Sequence, residues 1–411
     1  MTQTIRRVGA LLCLAVLLAP VIIAQDMPAL LRKIETPAGP ASGEPNLFTA
    51  PDGRAFLSWI EKTAGSRHAL RFAARNGHAW SEARTIAEGE NWFVNWADFP
   101  SLLVLGDGVL AAHWLVKSGP GAYAYDVNIS LSTDWGASWS KPITPHRDGT
   151  QTEHGFVSMF PREGKRVGVV WLDGRNFKGD SHGHGAPKQD MTLRYTTVSA
   201  DGLLSEEVLL DGRVCECCQT SAAVTSEGPV VVYRDRTERE VRDISIVRFT
   251  GGRWTEPKAV HNDGWKINGC PVNGPSVAAR DRRVAVAWFT AAGDVPRVKL
   301  AFSEDAGATF GTPIQVDDGK PLGRVEVLML EDGSALVAWL EGGEKGAEIR
   351  ARRVRSGPAR DASLTIALSS AARSSGFPQV TRSADDIIFA WTQPGDTPRV
   401  QTALLKLIER R

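Results

Sequence analysis

The chain has 411 residues with 48 basic and 47 acidic side chains, and it contains 13 tryptophans and 40 glycines but only 5 methionines. A charge balance so close to neutral gives no electrostatic case for binding nucleic acid or an anionic membrane surface. Many tryptophans and glycines with few methionines favour a packed, turn-rich β protein.

Residues 1–24 have the pattern of a secretory signal peptide. Arg6 and Arg7 precede an apolar run, and Ala24 suits the last position before cleavage. Removing this segment leaves 46 basic and 47 acidic side chains, a net charge of −1. No later apolar run approaches the roughly 20 residues that a membrane span requires. We therefore expect an exported protein, periplasmic or secreted, in which residues 25–411 form one domain; an uncleaved N-terminal anchor is the alternative.

A repeated unit fills the rest of the chain. In each copy, a polar turn is followed by an apolar strand that ends in an aromatic residue, and another strand follows the aromatic. The seven aromatic residues, spaced 51 to 62 residues apart, are Trp59, Trp114, Trp171, Tyr233, Trp288, Trp339 and Trp391. This spacing accommodates one four-stranded antiparallel unit per copy.

Radial repetition of such units leaves few exposed strand edges. The pattern therefore predicts an all-β fold, a β-propeller with seven blades of four antiparallel strands. A six-bladed ring with one peripheral hairpin and a linear solenoid are the alternatives. The last unit ends soon after its third strand, so we expect its fourth strand to come from "ALLRKIETP" at residues 29–37.

Two stretches, "STDWGASW" and "SEDAGATF", fit the pattern S-x-D-x-G-x-[ST]-[WF], and "SADG" is a partial third copy. The matching residues are Ser132, Asp134, Gly136, Trp139, Ser303, Asp305, Gly307, Phe310, Ser199, Asp201 and Gly202. These stretches resemble the Asp-box, or BNR, repeats of the sialidase (neuraminidase) superfamily, and the resemblance covers essentially the whole mature chain. It implies a turn at the outer rim of the propeller, so the motifs bear on the fold and not on catalysis.

The loops that enter each innermost strand and those that leave each second strand meet at one mouth of a propeller, the default ligand site. Units two to five supply the longest and most charged of these loops. Asp173 and Glu153 are the candidate catalytic carboxylates. The candidate ligand-binding residues are Arg175, Arg234, Arg236, Arg242, Trp96, His154 and Asn273. Solvated loop charge is the alternative interpretation for each of them.

The resemblance implies a carbohydrate or glycoconjugate ligand. Sialidases use a Tyr activated by a Glu, an Asp as acid and base, and three arginines that hold the substrate carboxylate. This chain has no Tyr after Tyr233, which takes the place of the repeated aromatic, and it lacks the Arg-Ile-Pro motif of the family. Three functions therefore stay open: a sialidase-like glycoside hydrolase, a non-catalytic glycan- or protein-binding propeller, and a periplasmic metal-binding protein. We expect a monomer.

Four cysteines remain after signal removal, and three of them lie in "CECC". They are Cys215, Cys217, Cys218 and Cys270. In an oxidising compartment we expect two disulfides, one of which joins the fourth unit to Cys270, and no cofactor. The alternatives are one disulfide with redox-active thiols, or a copper or zinc site. The candidate metal ligands are Cys217, Cys218, Cys270, His182 and His184.

Overall fold

The computed structural model describes residues 29–177, 189–344, 346–357 and 361–408. Their strands form seven antiparallel sheets in sequence order around a ring, and blade one packs against blade seven. The predicted seven-bladed propeller is confirmed, and neither the six-bladed ring nor the solenoid forms.

The strands are given blade by blade, from the innermost to the outermost. Blade one consists of Ser42–Thr49, Ala55–Lys62, His68–Asn76 and Arg84–Gly89. Blade two has three strands, Ser101–Gly106, Val109–Lys117 and Tyr125–Ser132. Blade three consists of His154–Arg162, Arg166–Asp173, Met191–Val198 and Val208–Val214. Blades four and five consist of Ser221–Thr225, Gly228–Arg234, Ile244–Thr250 and Lys258–His261; then Ser276–Arg280, Arg283–Thr290, Arg297–Ser303 and Ile314–Gln315. Blades six and seven consist of Pro321–Met329, Ala335–Gly343, Gly346–Val354 and Leu364–Ser369; then Gln379–Ser383, Asp386–Gln393, Arg399–Leu407 and Ala29–Ile34. Short strands at Ala79–Trp80 and Arg253–Trp254 and 3₁₀ turns at Glu163–Lys165, Ala292–Asp294 and Arg373–Ser375 complete the described elements.

The ring is closed by the N-terminal strand, as the sequence predicted. Ala29–Ile34 pairs antiparallel with Arg399–Leu407, in a register that runs from Ala29 opposite Leu407 to Ile34 opposite Thr402. The seventh blade therefore combines the two ends of the described chain. Within the described ranges, no helix has the length and apolar character that a membrane span needs.

The repeated aromatic lies in the second strand of every blade and is buried in each. In four blades the side chain two residues later accepts a hydrogen bond from the indole N–H. These pairs are Trp59 with Glu61 at 3.2 Å, Trp171 with Asp173 at 2.7 Å, Trp339 with Glu341 at 2.5 Å and Trp391 with Gln393 at 3.3 Å. A buried indole N–H needs such an acceptor, so this spacing is a structural feature of the repeat.

In blades four and five, the polar hydrogen of the repeated aromatic finds its acceptor in the preceding blade. The Tyr233 hydroxyl donates to Asp211 at 2.6 Å, and the Trp288 indole donates to Asp263 at 2.7 Å. Each of these acceptors lies at or just after the outermost strand of the preceding blade. The bond thus joins neighbouring blades here, instead of two residues of one strand.

The two full motif copies form turns with the same hydrogen bonds, the first after the third and last strand of blade two and the second between the third and fourth strands of blade five. In the first, Ser132 Oγ accepts from the N–H of Gly136 at 2.8 Å, and Asp134 accepts from the N–H of Ser138 at 2.9 Å. The second copy repeats these bonds in the same order. Gly136 has φ 75°, which favours glycine, and the terminal Trp139 packs edge-on against Phe72 of blade one. Each turn therefore places an aromatic side chain between neighbouring sheets.

Candidate functional site

The mouth is crossed by the loop that leads into blade two. The carbonyl of Ala97 accepts a 2.5 Å hydrogen bond from the side chain of Gln219, at the entry to blade four. The side-chain oxygen of Gln219 accepts another, at 3.0 Å, from the N–H of Gly274 at blade five. Half-buried Trp96 stacks on Phe377 of blade seven, with ring centroids 5.9 Å apart. One loop therefore reaches across the mouth to blades four and seven.

A cavity of about 150 Å³ lies beneath this loop, lined by the innermost strands of six blades and, in blade five, by Gly274 and Pro275 just before the innermost strand. Glu326 lines it, and burial raises the pKa of this carboxyl to about 8, against the lowering effect of a hydrogen bond with Ser276. The Glu326 carboxyl is therefore mostly protonated at neutral pH.

A buried tyrosine joins two carboxyl groups at the mouth. The hydroxyl of Tyr125 lies 2.9 Å from Asp98 Oδ2 and 2.9 Å from Glu153 Oε1, while the N–H of Phe156 donates to Asp98 Oδ1 at 2.7 Å. Burial, with the charge of Glu153, raises the pKa of Asp98 to about 8 despite these hydrogen bonds. A protonated acid therefore lies beside Glu153, one of the two predicted catalytic residues. Tyr125 was missed because no sequence spacing links these three segments.

The other predicted catalytic residue, Asp173, is fully buried. Arg175 binds it in a bidentate manner, with Nε and Nη2 each 2.7 Å from a carboxylate oxygen, and the Trp171 indole donates to it. Burial alone would raise the pKa of Asp173, but the hydrogen bonds from Arg175 and the charge of His154 hold it below its ordinary value. Asp173 thus has the same indole-accepting position as Glu61 in blade one.

Two stacked histidines lie next to Asp173. The rings of His146 and His154 are 3.7 Å apart and nearly parallel. His154 Nδ1 lies 3.4 Å from Asp126 and its Nε2 lies 3.3 Å from Asp148. Burial opposes the charge on His154, but hydrogen bonds with Asp126 and Asp148 raise its pKa to about 9. The pKa of His146 falls to about 4 because of burial and the charge of His154. At neutral pH the pair therefore carries one positive charge, on His154.

Arg236 and Arg242 face two glutamates of their own chain. Glu216 accepts from both guanidinium groups, at 2.6 Å each, and Glu240 accepts from both, at 3.1 and 2.9 Å. This closed group of four charges lies at the mouth of blade four. Its arginines are already paired, in contrast to free arginines that would hold a ligand carboxylate.

Arg234 is buried and contacts carbonyl oxygens. Its guanidinium donates to Asn273 O at 2.9 and 2.7 Å, to Arg242 O at 2.6 Å and to Phe289 O at 2.7 Å. Asn273 in turn accepts a 2.7 Å bond from the N–H of Arg324 in blade six. These two predicted ligand-binding residues therefore connect blades four, five and six.

The cysteines form a cluster between blades four and five. The sulfur atoms of Cys215, Cys217 and Cys218 all lie within 4.8 Å of one another, and Cys217 lies beside Cys270. All four are thiols in the structure, with 3.1 Å between the Cys215 and Cys218 sulfurs. The blade-four-to-blade-five proximity expected from the sequence is therefore present, and the disulfides remain a prediction. The predicted ligands His182 and His184 lie outside the described residues.

We expect the free energy of unfolding to fall steeply as the pH rises from about 6.5 to 8. Asp98 and Glu326 have pKa values raised to about 8, and that of His154 is raised to about 9. The folded chain thus holds protons that the unfolded chain loses near pH 4 (the carboxyls) and pH 6.5 (the histidine). Each group lowers stability by about 1.4 kcal/mol per pH unit across this window, and His154 continues to do so up to about pH 9.

Urea unfolding at several pH values measures this slope. Asp98→Asn should reduce the slope of unfolding free energy against pH by about 1.4 kcal/mol per pH unit, the contribution of one bound proton. Replacement of exposed Asp396 by Asn should leave this slope unchanged. The same slope in wild type and Asp98→Asn would contradict the assignment of a proton to this carboxyl.

The chain matches no protein-family model and no curated protein. Among solved structures, it is similar to the polysaccharide lyase Uly1, with a TM-score of 0.52 and 10% identity over 89% of this chain and 90% of that one. It is also similar to the α-L-arabinofuranosidase Arb93A from Fusarium graminearum, with a TM-score of 0.50 and 11% identity over 94% and 98%. The NanB sialidase from Streptococcus pneumoniae gives 0.47 and 11% over 86% and 83%. At such identities these similarities show the fold alone.

Proposed function

We propose that the protein is an exported propeller that binds a glycan at its mouth, beside blades two and three. One observation carries the proposal: Tyr123 exposes 42% of its surface and lies 6.3 Å from Phe93, which stacks at 3.9 Å on buried Tyr125. An exposed ring backed by fixed rings is a surface on which the apolar face of a sugar packs. Solved propellers of this fold that act on polysaccharides and arabinofuranosides support a carbohydrate ligand. The signal-like pattern of residues 1–24 supports export.

The geometry favours binding over cleavage. Asp98, Tyr125 and Glu153 are each less than 5% exposed, so a substrate does not reach them in this conformation. Arg175, Arg236 and Arg242 are occupied by carboxylates of the chain itself. Among these described candidates, none therefore presents a free acid–base pair or a free arginine to a ligand at the surface.

Binding to an array of neutral and acidic glycans tests the proposal. We expect Tyr123→Ala to weaken the binding at least tenfold, because it removes the ring on which the sugar packs, and Tyr123→Phe to retain it. Leu203→Ala is a matched control, because Leu203 is 67% exposed in a turn on the opposite face. Absence of binding to any glycan, or equal binding by wild type and Tyr123→Ala, would overturn the proposal.

A second candidate function is glycoside hydrolysis, and the protonated state of Asp98 beside Glu153 favours it. A carboxylic acid with a raised pKa next to a carboxylate is the arrangement that glycosidases use for proton donation. Wild-type protein should then release the fluorophore from at least one of a panel of fluorogenic glycosides that includes a sialoside, and Glu153→Gln should abolish release. A panel without turnover would leave the protein a binding propeller.

A further inference from the structure

The densest group of soft ligand atoms in the described chain lies at the entry to blade four. The segment "CECC" follows the outermost strand of blade three, and the N–H of Cys215 donates to Arg234 O at 3.0 Å. This turn gathers the sulfurs of Cys215, Cys217 and Cys218 within 4.8 Å of one another. The loop into blade five brings Cys270 beside Cys217. Two separate segments therefore deliver four thiols to one place.

A charged hydrogen-bond donor lies beside the buried sulfur of Cys215. Cys215 and Cys218 are each 1% exposed, and an isolated buried thiolate would be unfavourable. Arg242 Nη1 donates to the sulfur of Cys215 at 3.3 Å. A guanidinium group beside this sulfur offsets the negative charge of a metal-bound thiolate. A thiolate is the form of cysteine that binds metals.

We propose that Cys215, Cys217 and Cys218, with Cys270 as a further ligand, bind one Cu(I) ion. Thiolates select soft metals, and Cu(I) is stable with two or three sulfur ligands. Structural zinc sites are tetrahedral and usually take their ligands as spaced pairs, a pattern that three cysteines within four consecutive residues do not match. Arg242 offsets the negative charge of the copper–thiolate group, and the Glu216 and Glu240 carboxylates hold Arg242 in place.

The site is separate from the proposed glycan surface. It lies between blades four and five, whereas Tyr123 lies in the loop that precedes the third strand of blade two. Loss of copper binding and loss of glycan binding are therefore distinguishable in single-residue variants.

Copper titration of the full mature chain tests the proposal. The protein is purified without chelator under reducing conditions and titrated with Cu(I) against a chromogenic copper chelator. We expect one tightly held ion per chain, and X-ray absorption should show sulfur ligands only.

The first variant is Cys217→Ser, because Cys217 is only partly buried and the substitution is least disruptive to packing. We expect it to weaken copper binding at least a hundredfold while the thermal unfolding temperature of the copper-free protein changes little. Ser226→Ala, exposed on the opposite face, should bind like wild type.

Three outcomes would overturn the proposal. One is a chain that does not retain copper against the chelator. Another is a stoichiometric zinc ion that copper does not displace. The third is a disulfide that links Cys215 and Cys218 in protein isolated from its own compartment, shown by mass spectrometry after alkylation of free thiols.

Discussion

A chain that starts at residue 35 should fail to form a stable ring. Deletion removes the strand Ala29–Ile34, which pairs along its whole length with Arg399–Leu407. Alternate residues of the lost strand, Ala29 and Leu31, also pack against the core between blades six and seven. We expect a loss on the order of 5 kcal/mol in the free energy of unfolding, together with aggregation through the newly exposed strand edge.

Thermal unfolding followed by circular dichroism and size-exclusion chromatography measures both effects. A chain that starts at residue 26 is the matched control, because it retains the closing strand. A synthetic peptide of residues 26–37 should partly restore the melting temperature of the truncated protein. Equal melting temperatures of the two truncated chains would show that the ring does not depend on its closing strand.

Replacement of Arg234 by alanine should also be strongly destabilising. Its guanidinium is the hydrogen-bond donor for the carbonyls of Arg242, Asn273 and Phe289, and it packs 4.8 Å from the centroid of Trp265. Alanine leaves these buried acceptors without a partner and a space in the core. We expect a loss of about 3–5 kcal/mol in the free energy of unfolding, as is typical when one member of a buried charged network is removed.

Arg234→Lys should rescue little of this loss, because one ammonium group cannot reproduce a planar fork that reaches three carbonyls. Exposed Arg253 provides the control, since its replacement by alanine should change the unfolding free energy by less than about 0.5 kcal/mol. Urea unfolding of the three variants makes the comparison. A near-wild-type Arg234→Ala protein would show that these carbonyls find other donors, and would return this arginine to the group of ligand-binding candidates.

The fold was predictable because each blade repeats the same local chemistry. A turn, an apolar strand and a buried aromatic recur at a spacing that only a four-stranded unit fits, so seven blades and the closing strand followed from "ALLRKIETP" and the count of aromatics. The repeated aromatics follow one another at this spacing from Trp59 to Trp391, so no blade between them is left unassigned. Most packing contacts in a propeller form within one blade or between blades that are consecutive in the sequence, so the order of the repeats predicts which sheets are neighbours.

The chemistry of the mouth was less predictable because its partners come from different loops. Asp173 was selected as a catalytic candidate from its position after a strand, yet the structure places it against Trp171 and Arg175. Glu61 follows Trp59 at the same two-residue spacing, so the sequence already indicated that Asp173 accepts a hydrogen bond from the Trp171 indole. No comparable signal linked Tyr125 to Asp98, because their contact depends on how far one loop reaches across the ring.

The inter-blade bonds of Tyr233 and Trp288 have a consequence for the cysteine segments. Asp211 and Asp263, which accept these bonds, lie four and seven residues before Cys215 and Cys270 respectively. Each sulfur-bearing segment is therefore anchored, just upstream, to the rigid centre of the following sheet. Four other blades make this bond within one strand, whereas these two make it between blades, which limits how far the two cysteine segments can move apart when no ion is bound between them.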